Sequence, residues 1–233
     1  MDTGTRRPPQ DALTVRQLRL GVGVVGIALP LVLIVGHMVA VGRLTLVDSL
    51  SGYYYTEVRD VFVGALCAIG VFLISYRYRR PDDLLGTVAG VLAVVVALCP
   101  TTMGAPAGST GQGDRLVGVV HQVAAATLFV LLAVFCLFLF TRPDRVGVPP
   151  RPAAVRFYRS CGALILLAIG GALAGALLPA DVRQELKPVL WCETVAVFAF
   201  AAAWLAKSDA LLRAATPTDE TGVERPAPAP ARP

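Results

Sequence analysis

Apolar residues gather along the chain into six blocks, Leu20–Val41, Val61–Tyr76, Leu84–Cys99, Leu116–Phe140, Cys161–Leu178 and Val189–Ala206, with short polar stretches between them. Continuous runs of this kind read as helices buried on all sides. A helix needs about 20 predominantly apolar residues to cross a bilayer, within a range of about 17 to 25. The second and third blocks are short, so their helices are expected to draw in interfacial residues at each end. Tyr76 and Tyr78 suit that boundary, where amphipathic aromatics collect. A spanning barrel would instead show segments of about 10 residues alternating in polarity. The pattern therefore predicts an all-α, polytopic transmembrane helix bundle of about six helices. Pro30 lies inside the first block and is expected to kink its helix. That block exceeds the apolar region of about 7–15 residues found in removable signals, so it reads as a retained helix.

The flanks are different in kind. Residues 1–13 are polar, contain Pro8-Pro9 and are expected to be a flexible cytoplasmic lead-in, with an amphipathic start to the first helix from Thr14 to Arg19. The helical domain is expected over 14–213, with Lys207–Ala215 continuing the last helix. Residues 214–233 form a Pro/Ala-rich tail without large apolar residues, a composition expected to be disordered.

Composition supports this reading: 55% of residues are hydrophobic and only 16% charged, against about 25% charged in a soluble domain. The distribution of charge adds an orientation. Of the 21 basic residues, 16 fall in the N-terminal segment, the second and fourth connections and the C-terminal tail, and 5 in the alternate connections. Basic flanks stay cytoplasmic, so both termini are expected inside a multi-pass protein of the inner (plasma) membrane. Anionic lipid is then a sufficient partner for the basic surface, and no nucleic acid is needed. The oligomeric state is left open.

Ionisable groups inside spans are costly, about 2.5–3.5 kcal/mol on insertion scales, and so mark candidate sites. His37 lies near the outer end of the first helix, and Arg59 and Asp60 open the second. His121 and Glu193 lie within roughly 8 Å of the outer ends of the fourth and sixth, at 1.5 Å rise per residue. All of them fall in the outer third. Convergence of these helices would place His37, Asp60, His121 and Glu193 around one outward-facing polar pocket. Three readings fit that layer. As a zinc site, the two His and two carboxylates would polarise a water and a lipid carbonyl. As a haem b site, His37 and His121 would be axial ligands. As structural groups, they would hydrogen-bond neighbours and hold the bundle together. Tyr53, Tyr54 and Tyr55 read either as an interfacial belt or as the wall of a ligand cleft. The expected function is binding or sensing of a lipid or small molecule at that pocket. An intramembrane zinc-dependent lipid hydrolase is the alternative. A transport pathway lacks its mark, a mid-membrane charge or paired broken helices.

Other residues read as structural. Trp191 and Trp204 sit near the two ends of the last block, as interfacial anchors do. Cys67 and Cys136 are mid-span fillers, while Cys99 and Cys192 share the outer depth that a disulfide would require. Gly86, Gly90 and Gly170-Gly171 suit close helix contacts.

The run Ser49-Leu-Ser-Gly-Tyr-Tyr-Tyr-Thr56, then Arg59-Asp60-Val-Phe-Val-Gly64 and an apolar stretch to Tyr76, is followed by Ala97-Leu-Cys-Pro-Thr101, His121 and Trp191-Cys-Glu193-Thr194. In order and spacing this resembles a group of uncharacterised bacterial six-helix membrane proteins, distantly similar to the DRAM/Frag-type family, over about residues 20–207. The resemblance implies a fold and a membrane setting but no activity. The chain is less similar to the alkaline ceramidase and progestin/adiponectin-receptor superfamily. Those proteins have seven helices and a zinc site built from Ser, Asp and three His. Two His are present here, so hydrolase activity does not carry over.

Overall fold

The structure, a computed structural model, describes residues 10–76, 80–102, 111–143 and 151–215. Expectations for the lead-in before Gln10, for Tyr78 and its flanking arginines, for the middle of the Pro100–Arg115 connection and for the Pro/Ala-rich tail fall outside these residues. Every regular element among them is helical. Six long helices are α1 (Gln10–Val41), α2 (Arg59–Ser75), α3 (Arg80–Leu98), α4 (Gln112–Val134), α5 (Pro152–Ala176) and α7 (Pro188–Ala215), with a short α6 (Ala180–Leu186) between the last two. α4 runs on as a π-helical turn, Phe135–Leu139, and a 3-10 turn, Ser51–Tyr55, precedes α2.

Four stretches, Val15–Val41, Gln112–Leu139, Pro152–Ala176 and Pro188–Ser208, are long and apolar enough to cross a membrane. α2 and α3 have 17 and 19 residues. At 1.5 Å per residue they reach about 25 and 28 Å, just under a hydrocarbon layer of about 30 Å. α1 starts at Gln10, ahead of the expected Thr14, and continues as one helix through Pro30. The proline removes a single rung from a 32-residue ladder, and packing along the rest of its length holds the helix. α6 occupies the segment expected to be a plain connection. It ends at Lys187, whose φ of 49° is left-handed, an uncommon conformation for a side-chain-bearing residue.

Packing follows the chain. α1 lies on α2, α2 on α3, α3 on α4, α4 on α5, α5 on α7, and α7 closes back on α1. Packed helix axes are about 8–10 Å apart, and the centre of a regular six-membered ring is as far from each axis as neighbours are from one another. Such a ring is hollow unless something fills it. A touch between α4 and α7 flattens it, and two different devices close its ends.

At the end where α1 begins, the filling is aromatic. Trp204 is fully buried, with the rings of Tyr76, Phe135, Phe140 and Phe200 at centroid distances of 5.3, 5.8, 5.3 and 5.6 Å. It is therefore a core residue and not the anchor expected from its position, whereas Trp191 at the other end of α7 is exposed. Tyr76 is likewise buried. Its hydroxyl accepts from Arg19 Nε at 3.1 Å and also from Nη2, while Arg19 Nη1 donates to the Lys207 carbonyl at 3.4 Å. Lys207 Nζ donates to the Phe140 carbonyl at 3.1 Å, a helix-end acceptor that favours a cation. Arg19 and Lys207, expected as basic flanks, are thus interior residues.

The helices also carry apolar side chains outward: Val35, Val39, Val71, Leu116, Val123, Leu167 and Leu173 are more than half exposed. An apolar surface this widespread is a liability in water and suits a hydrocarbon surrounding. Between helices in such a setting, close packing takes the place of water exclusion. A Cβ on Gly90 would lie 2.5 Å from the Gly70 carbonyl oxygen, and one on Gly70 would lie 2.8 Å from that of Gly90. Gly86 and Gly171 are contact positions as expected, against the Leu73 carbonyl and Cys192 Sγ, whereas Gly170 faces open space.

Candidate functional site

The other end of the ring is closed by chain. Gly42 (φ 70°) ends α1, its amide donating to the Met38 carbonyl at 3.0 Å. The connection then turns inward, so that Ser49, Leu50, Ser51 and Tyr53 are buried. Backbone taken out of water needs partners, and these come from α7 and from the connection itself, with further side-chain ties to neighbouring segments. Glu193 Oε2 on α7 accepts the Leu50 amide at 2.6 Å and faces the Ser51 amide as well. Ser49 Oγ accepts the Gly52 amide at 2.9 Å. Lys187 pairs with Asp48, and Tyr55 donates to the Thr101 carbonyl at 2.7 Å. Glu193 serves as an acceptor at the start of a helical turn, where amides point outward unpaired.

Beneath this plug lies a cavity of about 70 Å³, its polar end formed by Ser51, His121 and Glu193. Its walls are apolar: Leu29 from α1, Phe62, Leu66, Ile69 and Leu73 from α2, Val96 from α3, Leu128 and Leu132 from α4, and Val197 and Phe200 from α7. They belong to both of the bundle's apolar cores, one on the aromatic side and one under the plug, so the cavity lies at their junction. His121 is 1% exposed, and its Nδ1 lies 2.7 Å from the Cys99 carbonyl oxygen. A carbonyl only accepts, so Nδ1 carries the hydrogen and Nε2 is left as an acceptor.

The structure divides the expected set. His121 and Glu193 share the cavity. His37 is elsewhere, with Nδ1 3.1 Å from Glu57 Oε2 and its ring edge-on to Tyr53 at 5.6 Å. Arg59 stacks on Tyr54, 4.3 Å from the ring centroid, and donates to its hydroxyl at 2.6 Å on the surface. Asp60 is exposed on the first turn of α2. Consequently His37, His121, Asp60 and Glu193 do not form the expected metal set. Among the described residues, no three His, Cys, Asp or Glu side chains are grouped to hold an ion. With His37 engaged by Glu57 and His121 by Cys99, the two imidazoles are not presented as a facing haem pair. The tyrosines are not a uniform belt: Tyr53 is core, Tyr54 partly covered and Tyr55 exposed. Cys99 and Cys192 are both free. Cys192 Sγ packs toward Gly171 on α5, whereas Cys99 closes α3 beside α4.

Outside the helices, burial raises the Tyr53 hydroxyl above its ordinary value. Glu57 is held below the ordinary carboxylate value, first by its own backbone amide and second by His37.

Sequence reasoning did not find Glu57, Leu50 or Ser51, nor the apolar wall. One acidic residue in a connection and a dozen apolar residues on helices carry no distinguishing pattern. Compared with known proteins, the chain matches no family model, no curated protein and no solved structure.

Proposed function

We propose that this chain is a six-span inner-membrane protein with both termini cytoplasmic. Its plugged cavity receives the apolar chain of a lipid or small amphiphile. One observation carries the reading: five of the six long helices contribute apolar side chains to a single cavity whose polar groups gather at one end. Pockets that bind small molecules have this composition, mostly apolar with a few polar groups that set orientation. Apolar cavities stay dry and are filled favourably by hydrocarbon. The basic residues put the aromatic end of the bundle in the cytoplasm and the plug outside. The polar pocket expected from the sequence is thereby redrawn as an apolar cavity with a polar cap. His121 and Glu193 orient the ligand, and the plug at Leu50–Ser51 covers it.

Saturable binding of a photoreactive alkyl probe to the purified, full-length protein tests this. Leu128→Trp, which fills the cavity from α4, is expected to abolish saturable labelling while the protein stays folded. Labelling unchanged by Leu128→Trp would place the probe on the outer, lipid-facing surface and end the proposal.

A further inference from the structure

Resting on the cavity reading above, we infer that the ligand is an uncharged amphiphile whose polar end is a hydroxyl, an aliphatic or isoprenoid alcohol, and not an anionic lipid. The three polar groups at the cavity's end carry this. His121 Nδ1 is committed to the Cys99 carbonyl at 2.7 Å, so in the neutral ring Nε2 is the acceptor, and His121 lines the cavity. Glu193 is committed through Oε2 to the Leu50 amide, and its carboxyl oxygens keep acceptor lone pairs for the cavity. Ser51 Oγ lies 3.4 Å from Ser49 Oγ and can turn its hydrogen either way. Two acceptors and one adaptable hydroxyl ask for a donor.

An anionic headgroup would find the opposite of what it needs. Among the described residues that line the cavity there is no lysine or arginine. Arg59 is stacked on Tyr54 outside it, and Lys187 is paired with Asp48 on the plug. A carboxylate or phosphate in the cavity would meet the acceptor lone pairs of Glu193 and no cation to neutralise it.

The test uses three probes with one chain, 1-octanol, octanoate and octane, competing against the photoreactive alkyl probe. The full-length protein is held in zwitterionic nanodiscs, with uptake by protein-free discs subtracted. Octanol is expected to compete about 3- to 10-fold better than octane, the worth of one net hydrogen bond, with octanoate weakest. In His121→Asn the amide stands where Nδ1 stood, keeping the bond to Cys99 and deleting Nε2. This variant is expected to lose the preference for octanol while competing equally well with octane. Glu193→Gln, a second variant of unchanged shape, is expected to improve octanoate. Octanoate matching octanol, or His121→Asn keeping the preference, would overturn the inference. Equal competition by all three probes would also overturn it and leave the cavity reading standing. Saturable labelling absent from the wild-type protein would sink both.

Discussion

Burying a guanidinium is expensive unless its donors are satisfied, and Arg19 is 1% exposed. Its fork serves Tyr76 and the Lys207 backbone at once, which a single ammonium does not reproduce. Arg19→Lys is therefore expected to lower stability by about 1.5–3 kcal/mol, read as a fall in melting temperature in detergent. A second residue-scale prediction concerns acid. The Glu57 carboxyl is lower in the folded protein than in the unfolded chain. Its contribution is therefore present above the ordinary value of 4.5 and lost as pH falls through the folded one. Amide exchange over Ser51–Thr56, corrected for intrinsic rates, is expected to quicken as pH drops below that value. Glu57→Gln is expected to show no such step. Pairs like these were not legible beforehand. His37 and Glu57 are 20 positions apart, and Arg19 and Tyr76 are 57 apart. Composition supplies each partner with many alternatives.

Among elements, the α2–α3 pair gives the most controlled test. A methyl at Gly90 collides with the Gly70 carbonyl, whereas one at Gly64 on the same pair of helices meets nothing within 4 Å. Gly90→Ala is expected to cost roughly 1–3 kcal/mol through overpacking. Gly64→Ala is expected to be neutral or to stabilise by up to about 1 kcal/mol through helix propensity. Equal effects in thermal unfolding would mean that α2 and α3 do not meet at this crossing. The six long helices were legible because each is a continuous apolar run with polar ends. α6 was not, since seven residues with three charges and no buried position have no apolar face to announce a helix. Nor was the π turn at Phe135–Leu139. Phe135 and Phe140 pack on Trp204 there, a tertiary contact that local periodicity does not announce.

The molecule as a whole is a ring of helices closed at one end by aromatics and at the other by folded-in chain. Reporter fusions that are active on only one side of the membrane are expected to place both termini in the cytoplasm and the Ser51–Tyr55 turn outside. Termini found on opposite sides would require an odd number of spans. The ionisable candidates could be picked out from the sequence, one by one along each run. Their separation could not, because helix rotation decides that His121 and Glu193 reach the cavity while His37 and Asp60 do not. The cavity was equally hidden, being a volume left between apolar side chains that look alike in sequence. It is also the centre of the account, and mapping the attachment sites of the photoreactive alkyl probe tests it most directly. Labels are expected on cavity-lining residues such as Phe62, Leu66, Leu128, Leu132 and Val197 and to be displaced by excess octanol. Labels confined to outward residues such as Val35, Val71, Val123 and Leu167, and unmoved by competitor, would contradict it.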